Sequence, residues 1–252
     1  MPLAFTRAVS PRIAECALTH LDRQAIDPVR AADQHAAYEQ ALAKAGFDVI
    51  RLPELADDPD AVFVEDTALL LGEHAVITRP GAPSRAGETE STAAGLEPFF
   101  TVHKLAAGIL DGGDVLRIGA RLYVGQSSRT DAAGAQALGE LVAPLGFAVV
   151  PVELGRCLHL KTAVTFAGQG IVLVNPDWID PDLFADTRAL AVAGDEPFAA
   201  NVVRAGDRLL MAAGSPNTAA RLSQRGFTVV ELDLSELQKA EAGGTCMSLI
   251  AD

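Results

Sequence analysis

The chain has 252 residues, of which 49% are hydrophobic and only 5% aromatic, so it is long enough to bury a sizeable aliphatic core. Its formal net charge of −13 argues against nucleic acid as a partner, because phosphate binding requires clustered lysine and arginine. No apolar run reaches the length of a membrane-spanning helix, and three scattered cysteines are too few for a disulfide framework. We therefore expect a cytoplasmic protein with neither a membrane nor a nucleic-acid partner.

A helix that stops at glycine and continues through phenylalanine into a strand recurs along the chain. After a first strand at residues 3–8, a helix is predicted at 29–45, and Gly46 and Phe47 lead into a strand ending at 52. Glycine after a helix is the usual left-handed stop. The same order returns in three further segments: 88–102, which is the weakest copy, 132–152 and 218–232.

Pairs of apolar strands around a glycine-containing turn alternate with these helices, as expected for β-hairpins. They are predicted at residues 67–77, 114–124, 163–174 and 201–211. The combined repeat of strand, strand, helix, strand is near fifty residues long, which is typical of closed arrays and propellers. Four copies are visible, and a fifth assembled from the two termini would close a ring. An ordinary α/β sheet with hairpins is the alternative.

Three acidic residues surround a short apolar segment just before the first strand pair: Asp60, Glu65 and Asp66. Asp60 and Asp66 are six residues apart and would face the same side of an extended strand. Converging carboxylates suit a guanidinium, whose N–H donors pair with them as a fork. A solvated acidic loop is the more common explanation for such spacing alone.

A second polar segment places Gly112 and Gly113 between two acids. Paired glycines allow the backbone to approach another group closely. Asp111 could orient a histidine, and Asp114 could bind a cation or cap a turn.

The remaining reactive side chains are a histidine, a cysteine and several arginines. His159 lies among apolar residues, where a structural histidine is more common than a catalyst. Cys246 follows two glycines and could be a nucleophile if its pKa were lowered, although buried structural thiols are also common. Arginines in the turns at 79–85 and 127–130 could bind a carboxylate. Thiol, imidazole and acid together form a nucleophile–base–orienter set, and a substrate with a guanidinium and an amino-acid carboxylate would use every group.

Five motifs resemble those of dimethylarginine dimethylaminohydrolases and come in that family's order. They lie at residues 63–66, 77–85, 110–116, 158–161 and 245–246. The resemblance implies the pentein fold, a five-bladed α/β propeller of ββαβ repeats, as one catalytic domain over residues 1–252. It also implies hydrolysis of an N-omega-methylated arginine, either asymmetric dimethylarginine or monomethylarginine, to citrulline and dimethylamine or methylamine.

The same resemblance assigns roles to individual residues. It implies Cys246 as the nucleophile, His159 as the general acid and base, and Asp111 as the acid that orients the histidine. It implies substrate contacts at Leu18, Asp60, Glu65, Asp66, Arg85, Arg129 and Ala240. No cofactor or metal is expected, although a cysteine–histidine pair can bind zinc as an inhibitor. The oligomeric state stays open, with a homodimer as one option.

Other functions within the same superfamily are the alternatives. Arginine and agmatine deiminases place an acid two residues after the histidine, whereas Lys161 stands here and counts against plain deimination. Mammalian relatives have a second cysteine after the nucleophile, where this chain has Met247. An amidinotransferase and a non-catalytic propeller are the remaining alternatives, and the latter would have no reason to keep thiol, imidazole and acid together.

Overall fold

The computed structural model of the protein describes residues 1–184 and 186–251 and contains five three-stranded sheets. The strands are β1 Leu3–Thr6, β2 Asp48–Arg51, β3 Ala68–Leu71, β4 His74–Ile77, β5 Thr101–Lys104, β6 Val115–Ile118, β7 Arg121–Gln126, β8 Ala148–Glu153, β9 Val164–Gly168, β10 Ile171–Val174, β11 Arg188–Ala191, β12 Val202–Ala205, β13 Arg208–Ala212, β14 Thr228–Leu232 and β15 Leu249–Ala251. The α-helices are α1 Pro28–Lys44, α2 Glu88–Leu96, α3 Ala132–Val142, α4 Leu160–Ala163, α5 Pro216–Gln224 and α6 Ser235–Gln238.

Four sheets are built from consecutive strands, in the orders β3-β4-β5, β6-β7-β8, β9-β10-β11 and β12-β13-β14. In each, the first two strands are antiparallel and the third is parallel to the middle one. The four predicted hairpins are confirmed. Helices α2, α3 and α5 connect the parallel strands of three sheets. Between β10 and β11 a short 3-10 turn at Pro181–Leu183 takes the helix's place, because Pro176 and Pro181 interrupt the segment.

The fifth sheet, in the order β15-β1-β2, joins the two ends of the chain. Strand β1 is antiparallel to β15, with Leu3 opposite Ala251, and parallel to β2 through the crossover helix α1. The prediction that the termini complete a fifth copy is therefore confirmed. Strand β1 ends at Thr6, earlier than predicted, and the next side chain, Arg7, donates to the carbonyls of Pro53 and Ala61.

Helix α1 shows why the helix–glycine–phenylalanine pattern recurs. The Asp27 side chain accepts from two backbone N–H groups of the first turn and caps the helix. Gly46 follows with φ +95°, a left-handed conformation that glycine adopts without steric penalty, and Phe47 returns into the core. Gly146 and Gly226 take the same conformation, with φ +86° and +87°. The glycine thus reverses the chain from helix to parallel strand.

The inner strands β3, β6, β9, β12 and β15 surround a central channel of about 390 Å³. Neighbouring inner strands contact each other, including β15 with β3, β6 with β9, and β9 with β12. Among the described residues no helix is both long enough and apolar enough to cross a membrane. All three cysteines are free thiols. The channel gives the five sheets a common axis, and the candidate site is organised about it.

Candidate active site

Polar side chains gather where the inner strands begin. The segments that directly precede these strands are the 3-10 turn Val64–Thr67 before β3, the 3-10 turn Gly112–Asp114 before β6, helix α4 before β9, Asn201 before β12, and the 3-10 turn Thr245–Met247 before β15. Because the blades repeat around one channel, the starts of their inner strands face the same end. This arrangement brings together residues that are up to 180 positions apart in sequence, such as Glu65 and Thr245.

His159 and Asp111 form a buried pair at this end. His159 Nε2 lies 3.1 Å from Asp111 Oδ2, and the other Asp111 oxygen accepts from the backbone N–H of Gly81 at 2.7 Å. Burial lowers the pKa of His159, but the negative charges of Asp66, Asp111 and Asp114 outweigh it and raise that pKa to about 9. The imidazole therefore carries two protons near neutral pH, and Nδ1 holds the one not directed at Asp111.

Gly113 makes room for this histidine. A Cβ atom at Gly113 would lie 2.6 Å from His159 Nδ1 and 2.9 Å from Asp66 Oδ1, closer than side chains tolerate. The Gly113 N–H instead donates to Asp66 at 3.1 Å. Asp114 accepts from the N–H of Leu160, the first residue of α4, at 2.9 Å and so fixes the short helix that follows the histidine.

Asp66 is held by Arg85, which is only 3% exposed. Arg85 Nη1 donates to Asp66 Oδ2, while Nε and Nη2 donate to the two oxygens of Glu88 at 3.0 and 2.8 Å. Nη2 also donates to the carbonyl of Phe63 at 2.7 Å. Most of the guanidinium's N–H donors are therefore used within the protein, and the substrate contact predicted at Arg85 stays a prediction.

The loop at residues 16–27 lies across the other predicted substrate contacts. Both Asp60 oxygens accept from the N–H of Ala17, at 3.1 and 3.2 Å. Arg129 Nη2 donates to Thr19 Oγ1 at 2.9 Å. Leu18 lies between these two attachments, so the structure brings Leu18, Asp60 and Arg129 to one place.

The same loop packs beside the segment that carries the cysteine. Leu18, Ala240 and Cys246 belong to one apolar cluster. The Glu241 carboxylate accepts from the backbone N–H groups of Thr19, His20 and Leu21 and so ties the loop to the segment before the cysteine. The predicted contact at Ala240 is 5% exposed and faces this cluster.

Cys246 lies in the last 3-10 turn, and its Sγ accepts from the N–H of Gly243 at 3.4 Å. Burial raises the pKa of the Cys246 thiol, and the charges of Glu65 and Asp66 raise it further, to about 12. The Gly243 N–H and Lys161 act in the opposite direction but do not offset this. Without a bound cation the sulfur is therefore a neutral thiol.

Glu65 holds the turn that carries Cys246 in place. One carboxylate oxygen accepts from Lys161 Nζ at 2.5 Å and the other accepts from Thr245 Oγ1 at 2.7 Å. Asn201 adds three bonds of about 3.0 Å: its Nδ2 donates to Thr245 Oγ1 and the Lys161 carbonyl, and its Oδ1 accepts from the Thr245 N–H. The carboxylate of Glu65, predicted to contact substrate, is engaged by the protein in this structure.

Asp66, Asp111 and His159 are also the group whose geometry could hold a metal ion among the described residues, with one ligand atom from each within 4.8 Å of the others. Both carboxylates already accept hydrogen bonds, Asp66 from Arg85 and Asp111 from Gly81. The cluster coincides with the histidine and its acids, and we assign no metal to it.

Comparison with known proteins identifies the family. No model of a protein family matches the chain. It is 42% identical over 255 residues to the N(G),N(G)-dimethylarginine dimethylaminohydrolase of Streptomyces coelicolor, covering 98% of this chain and 95% of that protein. It is 35% identical over 226 residues to the same enzyme of Pseudomonas aeruginosa, covering 88% and 89%. The chain belongs to the dimethylarginine dimethylaminohydrolase family.

A solved structure of the Pseudomonas aeruginosa dimethylarginine dimethylaminohydrolase, a cysteine-to-serine mutant complexed with citrulline, superposes with a TM-score of 0.94. It is 33% identical and the alignment covers 98% of both chains. Together with the five sheets around one channel, this match confirms the predicted five-bladed pentein fold.

Several residues of the site were not found from the sequence. Asn201 precedes an inner strand, as the site residues of the other four blades do, so its position within the repeat was the signal available. Thr245 is the neighbour of the cysteine, and its hydroxyl contact with Glu65 has no local sequence pattern. Glu88 lies three residues after Arg85 and pairs with it, a spacing common on solvated helix surfaces as well.

Proposed function

We propose that this protein hydrolyses N-omega-methylated arginine, either asymmetric dimethylarginine or monomethylarginine, to citrulline and dimethylamine or methylamine. The observation that carries the proposal is that Cys246, His159 and the buried acid Asp66 lie together at one end of the channel. A thiol, a proton donor and a carboxylate for a cation are the groups that the reaction needs. Membership of the dimethylarginine dimethylaminohydrolase family supports the substrate class.

Substrate binding uses the charges of the site. Asp60 and Asp66 hold the guanidinium, because charge-assisted hydrogen bonds to carboxylates fit its planar fork. Arg129 and Arg85 meet the amino-acid end, and Leu18 and Ala240 line the apolar side of this region. Glu65 contributes negative charge near the guanidinium, while Lys161 and Thr245 hold its carboxylate in place.

The bound cation activates the nucleophile. The pKa of Cys246 is raised to about 12 by burial and by two carboxylates, so few free enzyme molecules carry a thiolate. A guanidinium placed against these carboxylates offsets their charge and adds a positive charge beside the sulfur, which lowers the thiol pKa. The thiol proton passes to solvent, and the thiolate forms only when substrate is present.

The reaction then proceeds in two halves. The Cys246 thiolate attacks the guanidinium carbon, and His159, oriented by Asp111, donates a proton to the methylated nitrogen as its bond to carbon breaks. The amine leaves, and a thiouronium links the cysteine to the rest of the substrate. His159, now with one proton fewer, takes a proton from water, whose oxygen attacks the same carbon. The carbon–sulfur bond breaks, and citrulline leaves.

Mass spectrometry of the products from asymmetric dimethylarginine tests this function directly. We expect citrulline and dimethylamine in equal amounts. Cys246→Ser should lose turnover by several orders of magnitude while still binding substrate, because a serine hydroxyl stays protonated where the thiol ionises. Release of ammonia from unmethylated arginine at a matching rate would instead indicate a deiminase.

The sequence-based expectations of a cytoplasmic location and a single catalytic domain over residues 1–252 stay proposals, and the oligomeric state stays open with a homodimer as one option. Sedimentation of the purified chain gives its mass in solution and decides between monomer and dimer.

A further inference from the structure

Glu88 is a buried acid that the proposed mechanism does not use. It is the first residue of α2, is 1% exposed, and gives both carboxylate oxygens to Arg85. Arg85 Nε lies 3.0 Å from Oε1 and Nη2 lies 2.8 Å from Oε2, so the two groups form a parallel fork. Such bidentate pairs fix orientation as well as charge.

Arg85 links its pair with Glu88 to the candidate site. Its remaining nitrogen, Nη1, donates to Asp66, whose other oxygen lies 3.9 Å from His159 Nδ1. His159 in turn pairs with Asp111. The five buried groups thus alternate in sign, from Glu88 at the start of α2 to Asp111 beside the histidine.

The charge of this cluster decides what Asp66 can attract. Asp66 paired with Arg85 alone would be a neutral pair, and a neutral pair has little attraction for a guanidinium. Glu88 brings the net charge of the three groups to −1. Arg7 interacts electrostatically with Glu88, but its hydrogen bonds go to Pro53, Ala61 and Thr92 rather than to this fork.

We propose that Glu88 is a positioning residue for substrate recognition, which holds Arg85 in its fork and leaves Asp66 with the negative charge that selects a guanidinium over a neutral urea group. This inference rests on the proposed function, since it assigns Asp66 to the guanidinium of the substrate. A purely structural acid would not need to be charged, because replacing a buried ion pair by apolar groups of similar volume is often neutral or stabilising.

The test compares a cation with its neutral analogue in the same site. Dimethylarginine and citrulline share the amino-acid end and differ at the guanidinium, so the ratio of their dissociation constants isolates charge recognition. We would measure both by calorimetry in the Cys246→Ser background, which prevents turnover, with and without Glu88→Gln. The glutamine oxygen can still accept one of the two Arg85 hydrogen bonds, whereas its NH2 group faces the other Arg85 donor, so this variant removes the charge and one bond of the fork.

We expect Glu88→Gln to lower the preference for dimethylarginine over citrulline by on the order of tenfold, the effect of removing one charge about 10 Å away at an effective dielectric of about 20. Glu90→Gln, two residues further along α2 and paired with Lys104 at the surface, is the matched control and should leave the ratio unchanged. An unchanged ratio in Glu88→Gln overturns the proposal.

A double variant separates charge from structure. Arg85→Met combined with Glu88→Met removes one charge of each sign, so Asp66 keeps its charge and the ratio should stay near that of the parent. Arg85 is also proposed to contact the amino-acid end, which both ligands share. Loss of that contact weakens the binding of dimethylarginine and of citrulline equally, so it cancels in the ratio of their dissociation constants. A ratio that falls in the double variant overturns the proposal even if Glu88→Gln fails to fold.

The two proposals fail in different ways. If the unmodified enzyme releases no citrulline from dimethylarginine, the proposed function is wrong. If it releases citrulline while Glu88→Gln and Glu90→Gln give the same ligand ratio, only the role of Glu88 is wrong.

Discussion

Protonation of single residues governs the site. Burial and neighbouring acids raise the pKa of Cys246 to about 12, and the balance of burial against three acids raises the pKa of His159 to about 9. At neutral pH the free site therefore pairs a neutral thiol with an imidazolium. In the proposed mechanism, the acids that attract a cation also keep the Cys246 sulfur unreactive until that cation is bound.

Asp111→Asn should move the alkaline limb of the pH profile to lower pH. The Asp111 carboxylate helps to raise the pKa of His159 to about 9, so its loss lowers that pKa, by roughly one unit for each 1.4 kcal/mol of lost interaction. In the proposed mechanism His159 donates a proton to the leaving amine, so kcat/KM should fall at a correspondingly lower pH. Measurement of kcat/KM from pH 6 to 10 checks this, and an alkaline limb that stays in place would contradict it.

The raised pKa of His159 also makes the free energy of unfolding depend on pH. The folded pKa of His159 lies above its unfolded value of about 6.5, so the stabilising contribution is fully present below pH 6.5 and is lost as the pH rises through about 9. Urea unfolding of the parent and Asp111→Asn across this range should show a smaller pH dependence in the variant.

Gly113→Ala should lower kcat with little change in overall fold. The added methyl group would lie 2.6 Å from His159 Nδ1, so the imidazole must move from Asp111 or the glycine turn must shift. A displacement of this size costs on the order of a hundredfold in rate. Gly139→Ala in α3 is the matched control, since its nearest neighbour lies 3.7 Å away. Equal activity in the two variants would remove Gly113 from the site.

Most side chains of the candidate site lie in short turns before the inner strands, and the regular strands and helices position these turns. The cysteine turn Thr245–Met247 has three residues, closed by one backbone hydrogen bond from the N–H of Ser248 to the carbonyl of Thr245, and no side-chain cap. Asn201 and Glu65 hold it from two other blades. The position of Cys246, the proposed nucleophile, therefore depends on contacts that cross between sheets.

Asn201→Ala tests this dependence. The side chain makes three hydrogen bonds, and its removal leaves the N–H of Thr245 and the carbonyl of Lys161 without this partner. We expect a loss of about 1–3 kcal/mol in the free energy of unfolding and a fall in kcat larger than the change in KM. Asn217→Ala, at the exposed start of α5, should leave kcat unchanged. If both variants behave alike in kcat, the turn does not need Asn201.

The repeat allowed the strands and helices to be predicted from the sequence, whereas most contacts between blades could not be predicted. Glycine after each helix and the four hairpins gave the blades, because these signals are local. The crossover between β10 and β11 departs from the pattern at Pro176 and Pro181. The partners of Glu65, namely Lys161 and Thr245, lie 96 and 180 positions away and follow from the ring geometry alone. Buried Arg85 shows the same limit. The motif around it suggests a contact with a ligand, whereas only the fold shows that its guanidinium binds Asp66 and Glu88.

The charge of the whole molecule acts on substrate approach. A net charge of −13 creates a negative field that raises the local concentration of cations, and salt screens this field over about 10 Å at 0.1 M. We expect kcat/KM for dimethylarginine to fall several-fold between about 0.05 and 0.5 M sodium chloride. The inhibition constant of citrulline, which carries no side-chain charge, is the control and should change little. Equal salt sensitivity of the two would indicate that the field does not guide the cation.

The pairing of β1 with β15 also sets the order of events when the chain refolds. The four internal blades join neighbouring segments, whereas the last sheet joins Leu3 with Ala251 across almost the whole chain. Contacts of such separation form late, because the entropy of closing a long loop must be overcome first. The turn that carries Cys246 directly precedes β15. On dilution from denaturant, ellipticity should therefore recover before activity, and Cys246 should reach its native position only when the ring closes.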